Sequence, residues 1–166
     1  MENLQLSRTG NCIDEYIKRY GDMVYRISLI YLRNKEDTED VFQEIFIKLF
    51  NSNKTFENTE HLKAWLITVT SNQCKNMLRS PWRKKAVALD ALCAAAREEH
   101  GAEESDLIKE LLGLPLKYRR VLYLHYYEGY KNDEIGDMLQ VSPATVRTQM
   151  KRGREMLKSK LMEGEN

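Results

Sequence analysis

The sequence predicts an all-α protein of two small helical domains joined by a flexible linker, the C-terminal domain being a helix-turn-helix. Three observations carry this. Gly and Pro are scarce, 8 and 3 in 166 residues, so the chain holds few of the breakers that short strands and tight turns require. Its apolar residues recur mostly at three- and four-residue spacing, the period of a helix with one buried face. An alanine-rich, acidic stretch over 86–105 separates two such periodic blocks and is too poor in large apolar residues to form a core. The expected division is therefore 1–85, a linker at 86–105, and 106–166.

The first helix runs from about Ile13 to Leu32, with Gly21 as a candidate break. A second runs from about Thr38 to Phe50. A third runs from about Glu60 to Leu78 and is ended by Ser80-Pro81, because a residue before proline is pushed out of the helical region. After the linker, four helices are expected at about Asp106–Leu112, Pro115–Tyr127, Asn132–Leu139 and Pro143–Leu161. Pro115 and Pro143 suit first-turn positions, where a missing N–H leaves no bond unmade.

The composition limits what the chain can be. Hydrophobic residues make up 42% and charged residues 31%, an ordinary globular balance without any long apolar run. The N-terminus MENLQLSRTGNC lacks the apolar core of a secretion signal. Cys12, Cys74 and Cys93 are far apart, as are His61, His100 and His125, so neither a disulfide framework nor a metal site is expected. The expectation is a cytoplasmic protein with reduced thiols and no cofactor. The net charge is only +1, but acids cluster in EDTED (36–40) and REEHGAEESD (97–106), and bases in RSPWRKK (79–85) and RTQMKRGR (147–154). Segregated charge suggests separate surfaces for separate partners, nucleic acid among them.

The segment DEIGDMLQVSPATVRTQMKRGREML (133–157) carries the sharpest local signal. A short helix breaks at Gln140-Val141-Ser142 and a basic helix follows, as a helix-turn-helix requires. Ser142 is a good N-cap. Val146, Met150, Gly153, Leu157 and Leu161 share one face, as do Ile135, Met138 and Leu139 in the preceding helix. Gly136 fits a close crossing. The outer face offers Ala144, Thr148 and Lys151, with Arg147 and Arg152 on its flanks. Arg and Lys reach phosphates or guanine edges, and Thr can hydrogen-bond a base or touch a thymine methyl. Arg152, towards the side, has an internal alternative in Glu134 or Asp137. A solvated basic helix is the plain alternative for the whole face.

In DTEDVFQEIFIKLF (37–50), Val41, Phe42, Ile45, Phe46 and Leu49 form an apolar face. Asp40, Gln43, Glu44, Ile47 and Lys48 form the other. Acids in the first turn favour a helix through its dipole, which accounts for the charges but not for Ile47. An exposed branched residue among acids and an amide resembles a docking patch for another protein. In KTFENTEHLKAWLITVTSNQCKNMLRSPWRKK (54–85), an Asn- and Thr-rich segment leads into a helix anchored by Trp65, Leu66, Val69 and Leu78. Its outer positions are expected to include Ser71, Asn72, Lys75, Asn76 and Arg79. With Asn58, Thr59 and His61 just before, amides, hydroxyls, an imidazole and cations could hold a single strand. Trp65 itself reads better as core, and Trp82 as less easily buried.

These blocks resemble bacterial sigma factors of the extracytoplasmic-function group of the sigma-70 family. Residues 20–50 resemble the first conserved block, with Asp40, Gln43 and Glu44 as its D-x-x-Q-E. Residues 62–79 resemble the promoter-melting helix through Ala64-Trp65-Leu66, Asn72 and Leu78-Arg79. Residues 114–161 resemble the C-terminal block through Leu114-Pro115, Gly129, Glu134-Ile135, Ser142, Thr145-Val146, Arg152 and Leu157. Four positions depart from the family pattern: Ser71 replaces a common base, Asn76 a common Asp, Gly136 a common Ala and Arg120 a common acid. The resemblance implies a transcription initiation factor rather than an enzyme, with no small-molecule substrate and no insertion into a membrane. It implies sigma region 2 over 1–85 and region 4 over 106–166. Core RNA polymerase would be bound through Asp40, Gln43, Glu44 and Ile47. The −10 element would be met by Asn58, Thr59, His61, Asn72, Lys75 and Arg79. The −35 duplex would be read by Ala144, Thr145, Arg147, Thr148, Lys151 and Arg152. The linker would pass near the RNA exit route, and an anti-sigma factor or another device would hold the protein inactive. A conventional repressor or activator and a pure protein adaptor are the rival readings. The first would need a dimerisation helix, which the sequence does not offer. The second would leave the basic helix unexplained.

Overall fold

The computed structural model of the chain describes residues 4–5, 10–80 and 106–164. The expected linker and Trp82 lie outside them. The chain divides into two compact units, Met1–His100 and Gly101–Asn166. Seven helices occur among the described residues, as the apolar spacing predicts.

In the first unit, α1 spans Gly10–Leu32, α2 Lys35–Asn51 and α3 Thr59–Arg79, and all three pack on one another. α1 does not break at Gly21. That residue is buried, and a Cβ there would sit 3.4 Å from the Phe42 ring and 3.6 Å from Ile17 Cγ2. Here glycine serves a close approach of α2 and not a turn; burial of the helix on both sides of it outweighs the roughly 1 kcal/mol propensity cost. The actual turn is two residues long. Arg33 closes α1 in the left-handed region at φ 61, and its N–H donates to Leu29 O at 2.9 Å. Asn34 then N-caps α2, its Oδ1 accepting from the Asp37 N–H at 2.9 Å. Val24, Ile27, Val41, Ile45, Leu62, Leu66, Ile67 and Cys74 fill the core between the helices.

One feature departs from the all-α expectation. Leu4–Gln5 (β1) pairs antiparallel with Thr55–Phe56 (β2), Leu4 opposite Phe56 and Gln5 opposite Thr55. Phe56 is fully buried, which fixes the segment before α3 where only a polar loop is expected. Ser71 is a second correction. It is 1% exposed, its Oγ without a hydrogen-bond partner among the described residues, so it is not an outer position of α3. Trp65, Val69 and Leu78 are only half-buried, whereas Leu66 belongs to the core.

In the second unit, α4 spans Asp106–Leu112, α5 Leu116–Tyr126, α6 Asn132–Leu139 and α7 Pro143–Glu163. Pro115 precedes α5 as its cap instead of occupying its first turn. α7 packs on α4, α5 and α6. Val146, Met150 and Gly153 supply its buried stripe. A Cβ on Gly153 would lie 2.9 Å from Leu122 Cδ1 and 3.2 Å from Tyr118 Cβ, so the absence of a side chain sets how near α7 comes to α5. Leu161, expected on this stripe, is 50% exposed. Met138 is half-buried rather than core.

Candidate polymerase and nucleic-acid interfaces

The turn of the helix-turn-helix is built locally. Gln140 ends α6 in the left-handed region at φ 56, a conformation that lets the chain reverse within three residues. Its approach to α6 is tight: a Cβ on Gly136 would lie 2.7 Å from Val141 O. The close contact expected of Gly136 is thus with the turn's own backbone. Ser142 then caps α7, its Oγ accepting the Thr145 N–H at 3.2 Å. Pro143 occupies the first turn.

This construction turns Ala144, Thr145, Arg147, Thr148, Lys151 and Arg152 outward, and all six are exposed. Thr145 Oγ1 lies 2.8 Å from Ser142 Oγ. Thr148 Oγ1 donates to Ala144 O at 3.1 Å, which leaves its lone pairs facing out as acceptors. No ion pair joins Arg152 to Glu134 or Asp137 among the described residues. Glu134 instead accepts the Lys131 N–H at 2.8 Å, closing the start of α6. Arg152 lines a hollow of about 310 Å³ between α5 and α7, with Lys117, Tyr118, Ala144, Thr145, Thr148 and Gln149. Lys117 Nζ lies 5.0 Å from the Tyr118 ring centre, and Gln149 Oε1 is buried without a hydrogen-bond partner among the described residues. Lys117 and Gln149 are absent from the residues singled out in the sequence. Gln149 is half-buried beside the apolar stripe, and Lys117 comes from another helix, so no spacing rule joins them to the basic face.

On α2, Asp40, Gln43 and Glu44 are exposed, and Ile47 is 58% exposed. The four form a contiguous outer strip at helical spacing. Phe50 extends it at 42% exposure. The Glu44 carboxylate accepts a hydrogen bond from Gln73 Nε2 on α3, and Lys48 Nζ donates to Gln73 Oε1 at 2.6 Å.

The third set is strung along α3. Asn58 caps the helix, its Oδ1 accepting the His61 N–H at 2.8 Å. His61 Nδ1 accepts the Glu57 N–H at 3.2 Å, which puts the ring proton on Nε2. The His61 ring meets Phe56 edge-on at 5.4 Å, and Trp65 meets Phe56 from 5.5 Å. Lys54 Nζ lies 5.9 Å from the Trp65 ring centre. Thr59 and Lys75 are half-buried, and Asn72 and Arg79 exposed. Asn72, Lys75 and Arg79 follow one stripe, but α3 is 21 residues long, so about 30 Å separates its ends. These residues therefore form a track rather than a pocket.

Residues 16–84 match Sigma-70 region 2, and residues 105–157 match Sigma-70 region 4. The chain belongs to the sigma-70 family. Its relatives lie in the extracytoplasmic-function group of sigma-70 factors. This sigma-family chain is 31% identical over 157 residues to the ECF RNA polymerase sigma factor SigE of Mycolicibacterium smegmatis, covering 89% of this chain and 61% of that protein. It is 27% identical to the RNA polymerase sigma factor SigV of Bacillus subtilis, covering 82% of this chain and 83% of that one. The chain thus spans less than two thirds of the mycobacterial relative. Among solved structures, it resembles the sigma factor RpoE in complex with the anti-sigma factor NepR from Bartonella quintana, with a TM-score of 0.67, 17% identity, and coverage of 90% of this chain and 96% of that one. CnrH in complex with the cytosolic domain of CnrY gives a TM-score of 0.63 at 19% identity, with 95% and 92% covered. At those identities the likeness concerns the fold. No described helix of this sigma-family chain is long and apolar enough to cross a membrane.

Proposed function

We propose that this sigma-family chain is a transcription initiation factor that gives core RNA polymerase its promoter choice. The observation that carries this reading is the outer face of α7. Six polar, small or cationic residues are exposed there, on a capped helix whose other face is buried through Val146, Met150 and Gly153. That is the form of a recognition helix laid in a major groove. Arg147, Thr148 and Lys151 would meet base edges of the −35 duplex. Arg152 and Lys117, on either side of the hollow, would grip a backbone phosphate. The strip Asp40, Gln43, Glu44 and Ile47 would dock on the polymerase. Asn58, Thr59 and His61 would receive an unstacked −10 base, and Asn72, Lys75 and Arg79 would guide the melted strand along α3. The protein would work in the cytoplasm, where polymerase and promoter are. The solved relative bound to an anti-sigma factor supports a similar protein as a negative regulator.

Run-off transcription with core polymerase, with and without this protein, on a promoter library tests the reading. The expected outcome is initiation only at a defined subset of promoters and only when the protein is added. Promoter binding that proceeds without polymerase, with no gain in run-off product, would show a conventional repressor or activator instead.

A further inference from the structure

The contact between α2 and α3 contains a side-chain bridge that packing does not require. Glu44 and Lys48 are four residues apart, the acid N-terminal to the base, which is the favoured order for a direct helical ion pair. No such pair forms among the described residues. The carboxamide of Gln73 stands between them. Its Nε2 donates to Glu44 Oε2, and its Oε1 accepts from Lys48 Nζ at 2.6 Å. The amide matches both groups at once, a donor for the anion and an acceptor for the cation. Glu44 is thereby held through one oxygen, while its other oxygen carries no bond to Lys48. Gln73 is adjacent in sequence to Asn72, so the bridge starts on the helix assigned to the melted strand and ends on the strip assigned to polymerase.

We propose that Gln73 is a positioning residue for the polymerase contact, keeping the Glu44 carboxylate available by holding Lys48 away from it. The proposal rests on the docking role of Glu44 argued above. Without the amide, Lys48 would swing onto Glu44 as an ordinary i,i+4 pair. The carboxylate would then have to leave that pair before meeting a cationic or N–H donor group on the polymerase. Having to break one exposed i,i+4 ion pair first should weaken docking about twofold.

The test is a set of affinities for core RNA polymerase, measured with full-length protein by fluorescence anisotropy, with thermal melting as a check on folding. Gln73→Ala should weaken binding by that factor, with little change in melting temperature. In a Glu44→Ala background, Gln73→Ala should cost nothing further, because the residue acts through Glu44. Adding Lys48→Gln to Gln73→Ala should restore most of the loss, since the competing cation is gone; a merely structural role for Gln73 predicts no such rescue. Additive effects of Gln73→Ala and Glu44→Ala, or wild-type binding by Gln73→Ala, overturn the proposal and leave the docking reading standing. Wild-type binding by Glu44→Ala alone overturns both.

Discussion

At the scale of single residues, several candidate contacts also hold the fold together. Asn58 is assigned to an unstacked base, yet its Oδ1 caps α3. Truncation alone would confuse the two roles. Asn58→Ala should destabilise the first unit by about 1 kcal/mol through loss of the cap. Asn58→Ser keeps a capping oxygen and removes the amide, so thermal melting should stay near wild type. Both substitutions should slow strand opening in permanganate footprinting; opening that tracks stability alone would leave Asn58 a cap and nothing more. The cations of α7 separate in a different way. Arg147 lies in the second turn, where a recognition helix meets bases, and Lys158 lies far along it. Arg147→Ala should change preference at one −35 position by about 1–3 kcal/mol. Lys158→Ala should weaken all sequences slightly and alike. A −35 selection on each variant decides; a preference shift from Lys158→Ala alone would place the other end of the helix in the groove.

At the scale of elements, α7 owes its place to small residues. Gly153 lets α7 lie against Leu122 and Tyr118 of α5. A single methyl could be absorbed by rotation of Leu122. A β-branched side chain could not, because it adds two further carbons to a Cβ that already lies 3.2 Å from the Tyr118 Cβ, an atom fixed to the α5 backbone. Gly153→Val should therefore destabilise the second unit by about 1–3 kcal/mol, the usual cost of overpacking. Urea unfolding followed by circular dichroism would measure this, and unchanged stability would mean that α7 can move away from α5 at little cost. The hollow between the two helices would change shape along with it, so −35 binding should weaken even for variants that remain folded.

At the scale of the molecule, the whole chain carries a net charge of only +1. Free-chain binding to DNA should then be weak and sensitive to salt. Docking on polymerase would let both units act on one promoter through effective concentration. On the proposed reading, the strip of Asp40, Gln43, Glu44 and Ile47 is the point where the whole assembly would be broken. Asp40→Arg combined with Glu44→Arg reverses charge on an exposed helix face, so the fold should survive. The expected result is loss of core-polymerase binding, since reversal at a desolvated contact costs several kcal/mol. Pull-down at wild-type strength by a helical, monodisperse double variant would remove the assignment.

The sequence by itself determined the helices of the second unit closely, because capping residues and a 3.6-residue apolar period are local signals. Ser142, Pro143 and the buried stripe of Val146, Met150 and Gly153 state both where α7 starts and which way it faces. The outward strip on α2 was equally legible, since Ile47 breaks an otherwise polar face. Tertiary structure alone decided the rest. Gly21 reads as a break until Phe42 is seen against it, and Ser71 reads as surface until its neighbours cover it. The pairing of Leu4–Gln5 with Thr55–Phe56 joins two-residue segments some fifty positions apart, too short to leave any periodicity. The hollow of Lys117, Gln149 and Arg152 and the bridge of Glu44, Gln73 and Lys48 each join side chains from separate helices. Local propensity sets what each segment becomes; only packing sets which side chains meet.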